Sequence, residues 1–233
     1  MTEALCAEIK TLQLIEPFRI AHGTSASRQV LRLRWGSAVG EAPFVTYYGE
    51  NPEETLRWLQ AQVWHGSPAP RHGPRGGLLA LDLLWHDAIG KQRGVPLGKL
   101  LGLDAAQAPL GCRSFSIPDE LAAFGDKVRE TSRQFRVLKL KLGSGNIDFD
   151  EAIVARAYEM TLPSAKIMVD VNGGWRVAEA ATIIPRLARY GLALIEQPIH
   201  HEGGVEAWRE LRAALPCAVP PLFADESAQG ADD

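Results

Sequence analysis

The sequence predicts an α/β chain in which a small α+β domain, residues 1–108, precedes a series of βα units, residues 109–233. Two observations favour this division. In the first part, two strand-like stretches are followed by helices, whereas in the second part short apolar runs and helical segments alternate. Such alternation is typical of the strands and crossover helices of a parallel sheet.

The first domain begins with two predicted strands, at residues 5–15 and 28–35. In the second of these, apolar and polar residues alternate with a period of two. Pro17 and the stretch 21–27 (AHGTSAS) are predicted to form the loop between the strands. The chain is therefore expected to start as β-structure.

Two helices complete the first domain. Because Asn51 is a capping residue type, a helix is predicted over 52–64. The stronger helix covers 76–93, where large apolar residues recur at three- and four-residue steps and form one stripe. Gly94 and Pro96 are expected to end it.

The second domain is predicted from a repeating pattern. A strand at 112–117 and a helical stretch at 118–133 open it. Four further apolar runs come next, at 137–142, 166–171, 192–195 and 221–224. Helical segments, for example 148–160 and 178–190, separate these runs, as in consecutive βα units.

Composition and charge narrow the class of function. Hydrophobic residues make up 46% and charged residues 23% of the chain, as in ordinary globular proteins. The net charge of −3 provides no field that would attract nucleic acid or anionic lipid. No apolar run approaches the roughly 20 residues of a membrane span. Neither nucleic acid nor a membrane is therefore expected as a partner, and small-molecule chemistry is favoured.

The cellular compartment is predicted from the start of the chain and from its cysteines. Residues 1–10 lack the basic and apolar segments of a signal peptide. Cys6, Cys112 and Cys217 are far apart and lack CxxC spacing. We therefore expect reduced, buried thiols in a cytoplasmic protein.

Charged residues lie at the C-terminal ends of the apolar runs, where a buried strand does not tolerate charge without a reason. They are Lys139, Lys141, Asp170, Glu196 and Asp225. From Lys141 onward they are separated by 26 to 29 residues, about one βα unit, so we expect them at the same height on successive strands. In a βα barrel, catalytic groups come from the C-terminal ends of several strands.

The three carboxylates predict a metal site. If Asp170, Glu196 and Asp225 converge, they repel one another and do not all stay ionised unless a cation lies among them. Carboxylate oxygens, with room left for substrate and water, favour Mg²⁺.

The two lysines predict a base. Because Lys139 and Lys141 lie two apart, both point to one face of a strand that is expected to be covered on both sides rather than to be a solvated edge. Ammonium groups that are close together near a dication can lose a proton near pH 7. Such a lysine, beside a metal that stabilises an enediolate, can remove a proton next to a carboxylate.

Longer motifs surround these positions. They are KLK at 139–141, VDVNGGW at 169–175, IEQP at 195–198, ADES at 224–227 and the helical segment ALDLLWHDAIGKQRGVPLGKLLGL at 80–103. In these motifs the chain resembles the enolase superfamily, specifically its muconate-lactonising-like subgroup, over almost its whole length. Asn172 and Glu226 belong to the motifs and are assigned supporting roles.

The resemblance implies an α+β capping domain followed by an incomplete modified TIM barrel. It matches Asp170, Glu196 and Asp225 to the three Mg²⁺ ligands. It matches Lys141 to the acid/base on the S face of the substrate α-carbon. Lys139 matches the neighbour that tunes this base and contacts the substrate carboxylate.

The N-terminal region is similar to that of the dipeptide epimerases. The similar stretches are PFRIAHGT at 17–24, GEAP at 40–43 and YGE at 48–50. The resemblance implies inversion of the α-carbon of the second residue in dipeptides such as Ala-Glu, by removal of the Cα proton through an enediolate. The loop around His22 would be the specificity lid, and Arg19 or His22 would hold an acidic substrate side chain.

The resemblance also bears on the barrel strands beyond the third metal ligand. Family members continue with a strand that carries a lysine on the R face, and a 1,1-proton transfer needs an acid and a base on opposite faces. The predicted strands are about five of the eight in a TIM barrel. Activity is therefore expected to be impaired or absent in this chain, which could be a fragment, a truncated product or one part of a complex.

Alternatives stay open on the sequence alone. A related cycloisomerase or o-succinylbenzoate synthase would use the same metal ligands. A catalytically silent truncated protein that binds Mg²⁺ or serves in assembly is a third interpretation. His200 and His201 could be extra ligands, although loop histidines are mostly solvated. Homo-oligomers are common in the family, so a homo-oligomer is also open.

Overall fold

A computed structural model of the chain describes residues 4–45, 49–228 and 230, so that Tyr48 of the YGE stretch lies outside the described residues. The chain divides into two compact units, residues 1–17 with 26–108, and residues 18–25 with 109–233. The segment Phe18–Ser25 is thus grouped with the second unit, although the sequence assigns it to the first domain. The reason is local, because the Arg19 amide donates a hydrogen bond to Ser116 Oγ and the Arg19 carbonyl accepts one from the Ile117 amide.

The N-terminal sheet has the strand order β1-β2-β3, and β2 pairs antiparallel with β3. The strands are β1 (Cys6–Ile20), β2 (Gly23–Trp35) and β3 (Ala38–Pro43). The predicted loop at Pro17 and 21–27 is wrong, since only Ala21 and His22 lie between β1 and β2. Much of the added length is exposed on the sheet. Those residues therefore lack the apolar alternation that marks a strand in the sequence.

Three helices accompany this sheet, namely α1 (Pro52–Gln60), α2 (Arg75–Arg93) and α3 (Leu97–Leu100). Asn51 caps α1 as predicted, its side chain accepting a hydrogen bond from the Glu54 amide at 3.1 Å. The helix is four residues shorter than the predicted 52–64. Gly94 ends α2 in the left-handed conformation. A 3₁₀ turn follows at Ala105–Gln107.

The packing of α2 on β3 depends on a glycine. A Cβ at Gly40 would lie 2.0 Å from the Ala80 carbonyl oxygen and 2.7 Å from the Leu84 amide nitrogen, both backbone atoms of α2. The apolar stripe predicted for α2 is confirmed in part, because Leu81 and Leu84 are fully buried. This close approach brings β3 onto the stripe.

The second unit contains a five-stranded parallel sheet in the order β4-β5-β6-β7-β8. Its strands are β4 (Cys112–Phe115), β5 (Val137–Lys141), β6 (Lys166–Asp170), β7 (Ile195–Glu196) and β8 (Leu222–Phe223). Helices alternate with them, namely α4 (Leu121–Thr131), α5 (Ile147–Met160), α6 (Val177–Leu187) and α7 (Gly204–Ala214). Short 3₁₀ turns lie at Ala188–Tyr190 and His201–Gly203. The predicted series of βα units is therefore confirmed.

The side chains of strand β5 divide between the two faces of the parallel sheet. Strand β5 pairs with both β4 and β6, so it is not the solvated edge strand that was the alternative to the prediction. Leu138 and Leu140 are fully buried in the core beneath the helices, whereas Lys139 and Lys141 point to the other face and are half-buried.

Two remaining predictions concern the whole chain. No helix in the described part of the chain has the length and apolar character needed to cross a membrane. The prediction of buried cysteines is wrong, because Cys6, Cys112 and Cys217 are free but exposed. Cys6 and Cys112 are the first residues of strands, and Cys217 lies between α7 and β8, so all three lie outside the packed element interiors.

Candidate active site

The strand register brings the predicted charged residues side by side. Lys141 is the register partner of Asp170, and Asp170 is the partner of Glu196. Phe223 is opposite Glu196 on β8, so Asp225 comes two residues beyond the same level. The expectation of equal height is therefore met by the first three residues, whereas Asp225 lies in the loop after its strand.

A lysine–carboxylate cluster, formed by Lys139, Lys141, Asp170 and Glu196, occupies the C-terminal end of β5, β6 and β7. The Lys139 Nζ lies 2.7 Å from Asp170 Oδ2 and 2.8 Å from Glu196 Oε1. The Lys141 Nζ lies 2.6 Å from the same Asp170 oxygen. Asp170 is 1% exposed, so its charge is almost fully removed from water and depends on these two ammonium groups.

Both ammonium groups act on the pKa of Asp170. Burial of this carboxyl favours its neutral form, but the charges of Lys141 and Lys139 and their hydrogen bonds outweigh burial and lower its pKa. Burial likewise acts to lower the pKa of Lys139, yet Asp170 and Glu196 raise it above its ordinary value. The expectation that lysines close together near a dication lose a proton near pH 7 stays a prediction.

Burial and neighbouring negative charge disfavour the ionised forms of the other two predicted metal ligands, Glu196 and Asp225. Burial, together with the charges of Asp170 and Asp225, raises the pKa of Glu196. Burial, together with the charges of Glu226 and Asp170, raises the pKa of Asp225. The predicted repulsion among these carboxylates is thus present.

The donor chemistry of this end of the sheet fits a divalent cation. Among the described residues, no group of three or more His, Cys, Asp and Glu side chains is arranged closely enough to hold a metal ion. The ammonium group of Lys139 instead bridges Asp170 and Glu196. However, hard carboxylate oxygens on adjacent strands whose mutual repulsion calls for positive charge are the donor set that Mg²⁺ prefers. The metal assignment therefore stays a prediction.

Asn172 connects the base position to the end of the chain. Its Oδ1 accepts a hydrogen bond from Lys141 Nζ at 2.8 Å, and its Nδ2 donates to Glu226 Oε1 at 2.9 Å. Asn172 adopts a φ of 48°, in the left-handed region that asparagine tolerates better than most residues. Asn172 thus links Lys141 to Glu226, and the supporting roles assigned to Asn172 and Glu226 stay a prediction.

Gln197 is a site residue to which the motifs assigned no role of its own. It is fully buried, and its Oε1 accepts hydrogen bonds from the amides of Asp225 at 2.8 Å and Ser227 at 3.1 Å. Its Nε2 donates to the Ile199 carbonyl at 2.8 Å and to Ser227 Oγ at 2.7 Å. All four hydrogen-bonding positions of the carboxamide are used. In the sequence, the only sign of this role is that a polar residue directly follows Glu196, the carboxylate of β7.

Of the three candidate substrate-binding residues, Lys139 belongs to the cluster, whereas His22 and Arg19 lie elsewhere. The Nε2 of His22 lies 2.6 Å from the carbonyl oxygen of Asn172, which brings the turn between β1 and β2 next to the loop after β6. The guanidinium of Arg19 instead contacts the exposed Asp119 at 3.4 Å. His22 also meets the ring of His200 edge to face, and His200 stacks on His201.

Comparison with known proteins identifies the class. A parallel βα sheet with charged residues at the C-terminal strand ends is characteristic of barrel enzymes. Residues 123–233 match the family model described as enolase C-terminal domain-like. These residues therefore belong to that family, and the predicted resemblance to the enolase superfamily is confirmed.

The curated relatives are isomerases. A hydrophobic dipeptide epimerase of Roseobacter litoralis is 36% identical over 178 residues, which are 73% of this chain and 48% of the relative. An L-Ala-D/L-Glu epimerase of Bacteroides thetaiotaomicron is 35% identical over 212 residues, 83% of this chain and 52% of the relative. A muconate cycloisomerase of Acinetobacter lwoffii is 34% identical over 163 residues, 66% of this chain and 39% of the relative. The chain thus spans about half the length of the curated relatives it matches, or less.

A solved structure confirms the fold class. The dipeptide epimerase from Enterococcus faecalis, complexed with Mg and the dipeptide L-Leu-L-Tyr, superposes with a TM-score of 0.76 at 25% identity. The alignment covers 97% of this chain and 68% of that structure. The fold is therefore part of the modified TIM barrel predicted from the sequence.

Proposed function

We propose that this chain carries the metal-binding and base-bearing part of a Mg²⁺-dependent dipeptide epimerase. The observation that carries the proposal is the contact of Lys141 Nζ with both Asp170 and Asn172, on a strand in register with the carboxylates of β6 and β7. The identity to two epimerases over most of this chain supports the substrate class.

Three carboxylates would hold the metal ion, namely Asp170, Glu196 and Asp225. When bound, Mg²⁺ supplies positive charge that stabilises the enediolate form of the substrate carboxylate. Gln197 holds the backbone of the Asp225 loop through its carboxamide, and so fixes the third ligand relative to the second.

Lys141 acts as the base. In its neutral form, its Nζ takes the proton from the α-carbon of the second residue of the dipeptide and can return it to the same face. Asn172 accepts a hydrogen bond from this nitrogen and thereby sets its direction. Lys139, the neighbour on the same face, holds the substrate carboxylate and adds positive charge beside Lys141.

His22 and Arg19 contact the substrate side chain in this proposal. The His22 ring is anchored through Nε2 to the carbonyl of Asn172, in the loop that directly follows the end of β6 at Asp170. Arg19 is half-exposed and paired with an exposed aspartate, so it can change partners at little cost.

Inversion needs a second acid/base on the opposite face of the planar intermediate. Among the described residues we assign one such group, Lys141. We therefore propose full epimerisation for the whole protein, and exchange of the α-proton for deuterium as the reaction of the part described.

The test is Mg²⁺-dependent deuterium exchange at Cα, measured by mass spectrometry across a panel of L,L- and L,D-dipeptides. We expect exchange at L residues in the second position, which is lost on addition of a chelator. Exchange that persists without Mg²⁺, or exchange confined to the first residue, would contradict the proposal. A folded chain with no exchange on any dipeptide would favour the catalytically silent alternative.

A cycloisomerase is the second candidate, because the muconate cycloisomerase relative is almost as similar as the epimerases. The same base position and metal ligands suit both reactions. Turnover of muconate without exchange on any dipeptide would favour this alternative.

A further inference from the structure

A buried carboxylate on α5 joins the two loops that carry the proposed base and its partner. Asp150 is fully buried in the first part of the helix. Its Oδ1 accepts a hydrogen bond from the Ser144 amide at 3.0 Å, and its Oδ2 accepts from the Gly143 amide at 3.1 Å. The same Oδ2 accepts from the indole nitrogen of Trp175 at 2.7 Å.

These donors come from two places in the chain. Gly143 and Ser144 lie two and three residues beyond Lys141, the last residue of β5. Trp175 closes the VDVNGGW motif, three residues beyond Asn172. One carboxylate therefore holds the loop after the strand of the base to the loop that presents the hydrogen-bond acceptor of that base.

The two loops also lie in direct contact, so Asp150 cannot position one of them independently of the other. A Cβ at Gly143 would lie 3.2 Å from the Gly174 Cα, and a Cβ at Gly174 would lie 2.9 Å from the Gly143 Cα. Gly143 has a φ of 85°, which a residue with a side chain rarely adopts. Any shift of one loop therefore moves the other.

Because Asp150 is buried, its charge is unfavourable unless hydrogen bonds satisfy both of its oxygens. A carboxylate that is removed from water is tolerated when hydrogen bonds satisfy it, and here three donors converge on its two oxygens. Asp150 also lies near the N-terminal end of α5, where the helix dipole favours negative charge. A neutral side chain of similar shape at this position would bring an N–H group against one of these donors.

We infer that Asp150 is a positioning residue for Lys141. By tying the β5 loop to Trp175, it holds Lys141 Nζ at the 2.8 Å separation from Asn172 Oδ1. The inference rests on the proposed role of Lys141 as the base, but the position of Lys141 can be measured without any turnover.

The first experiment measures position. The full chain, without metal or substrate, is treated with an acylating reagent, and mass spectrometry gives the rate at Lys141 relative to that at Lys139. In Asp150→Asn we expect this ratio to rise about fivefold, the effect of losing one hydrogen bond. Asp148→Asn is the matched control, because Asp148 lies on the same helix but is exposed, and it should leave the ratio unchanged.

The second experiment measures catalysis by the deuterium exchange described above. Asp150→Asn is expected to lower kcat at least about tenfold while KM stays within about threefold, because the base is displaced and substrate contacts remain. Asp150→Glu keeps the carboxylate and should recover part of the loss. If the unaltered chain shows no exchange, the proposed function fails, and the acylation ratio alone decides the role of Asp150.

A variant that does not fold would not end the test. Trp175→Phe removes one of the three donors and keeps the aromatic packing, so a smaller rise in the Lys141 ratio is expected. In a double variant with Asp150→Asn, the tryptophan change should add little, because both act through one contact. A folded Asp150→Asn or Trp175→Phe chain with an unchanged Lys141 ratio would overturn the inference.

Discussion

Lys141 Nζ and Asn172 Oδ1 are joined by a 2.8 Å hydrogen bond, although the two residues lie on different strand ends and 31 positions apart in the sequence. The same asparagine donates to Glu226, so the ammonium group of Lys141 is connected to the segment that contains Asp225. The proposed base is thus hydrogen-bonded through Asn172 to Glu226, the residue next to the third carboxylate, Asp225.

Replacement of Lys141 by alanine should abolish deuterium exchange at Cα while Mg²⁺ still binds. The variant removes the proposed base and leaves all three carboxylates in place. Isothermal titration with Mg²⁺ and exchange by mass spectrometry check the two halves of the expectation. Lys166→Ala is the control, because Lys166 is exposed at the opposite end of a neighbouring strand. Retained exchange in the Lys141 variant would place the base on another residue.

Replacement of Asp225 by alanine should weaken Mg²⁺ binding by more than about tenfold, because one of three carboxylate ligands is lost. Because burial and neighbouring carboxylates already disfavour the charge of Asp225, its loss should change folding stability little. Titration of Mg²⁺ into the variant and into an Asp148→Ala control gives the comparison. Equal affinities in the two variants would remove Asp225 from the ligand set.

Replacement of Gln197 by leucine should weaken Mg²⁺ binding about tenfold by releasing the Asp225 loop. It should also lower the free energy of unfolding by about 2 to 3 kcal/mol, since buried amides and a carbonyl lose their partners. Gln197 adopts a φ of 39°, but leucine is likewise unbranched at Cβ, so the added backbone strain is small. Denaturant titration and Mg²⁺ titration are the measurements. A variant that is destabilised but binds Mg²⁺ normally would limit Gln197 to a structural role.

The parallel sheet and the cluster at its edge could be predicted because their signals are local. Apolar runs at one-unit spacing mark the strands, and each run ends in a charge that a buried strand cannot otherwise hold. The extension of β1 and β2 around Ala21 and His22 could not be predicted, because their exposed residues show no periodicity. The sharing of Asp170 by two lysines likewise depends on register, which no single strand encodes.

Asp150 and Gln197 show a second limit of sequence reasoning. Both are polar residues in apolar surroundings, and each could as well be a surface residue when read along the chain. Their importance follows from partners on other elements, such as Trp175 for Asp150 and Ser227 for Gln197. Only the fold brings these partners together, so a buried polar side chain is found after the fold is known.

Asp87 offers a pH-dependent test of the packing of α2 on β3. Its Oδ2 accepts hydrogen bonds from the Val39 amide and from Lys91 Nζ, each at 2.7 Å. Burial acts to raise the pKa of this carboxyl, but the bonds to Lys91 and Val39 outweigh burial and lower it. The folded-state pKa of Asp87 therefore lies below that of the unfolded chain.

The stabilisation by ionised Asp87 is consequently complete above about pH 4, the ordinary aspartate range, and is lost as the pH falls through the lowered folded-state pKa. Asp87→Asn should reduce the free energy of unfolding at pH 7 by less than about 1 kcal/mol, because the side chain is partly exposed. The difference from the unaltered chain should shrink at the lowest pH at which the chain stays folded. Urea titrations across this range, with Asp126→Asn on the exposed face of α4 as control, measure both quantities. A difference that is constant with pH would show that the contact to Val39 acts without the charge of Asp87.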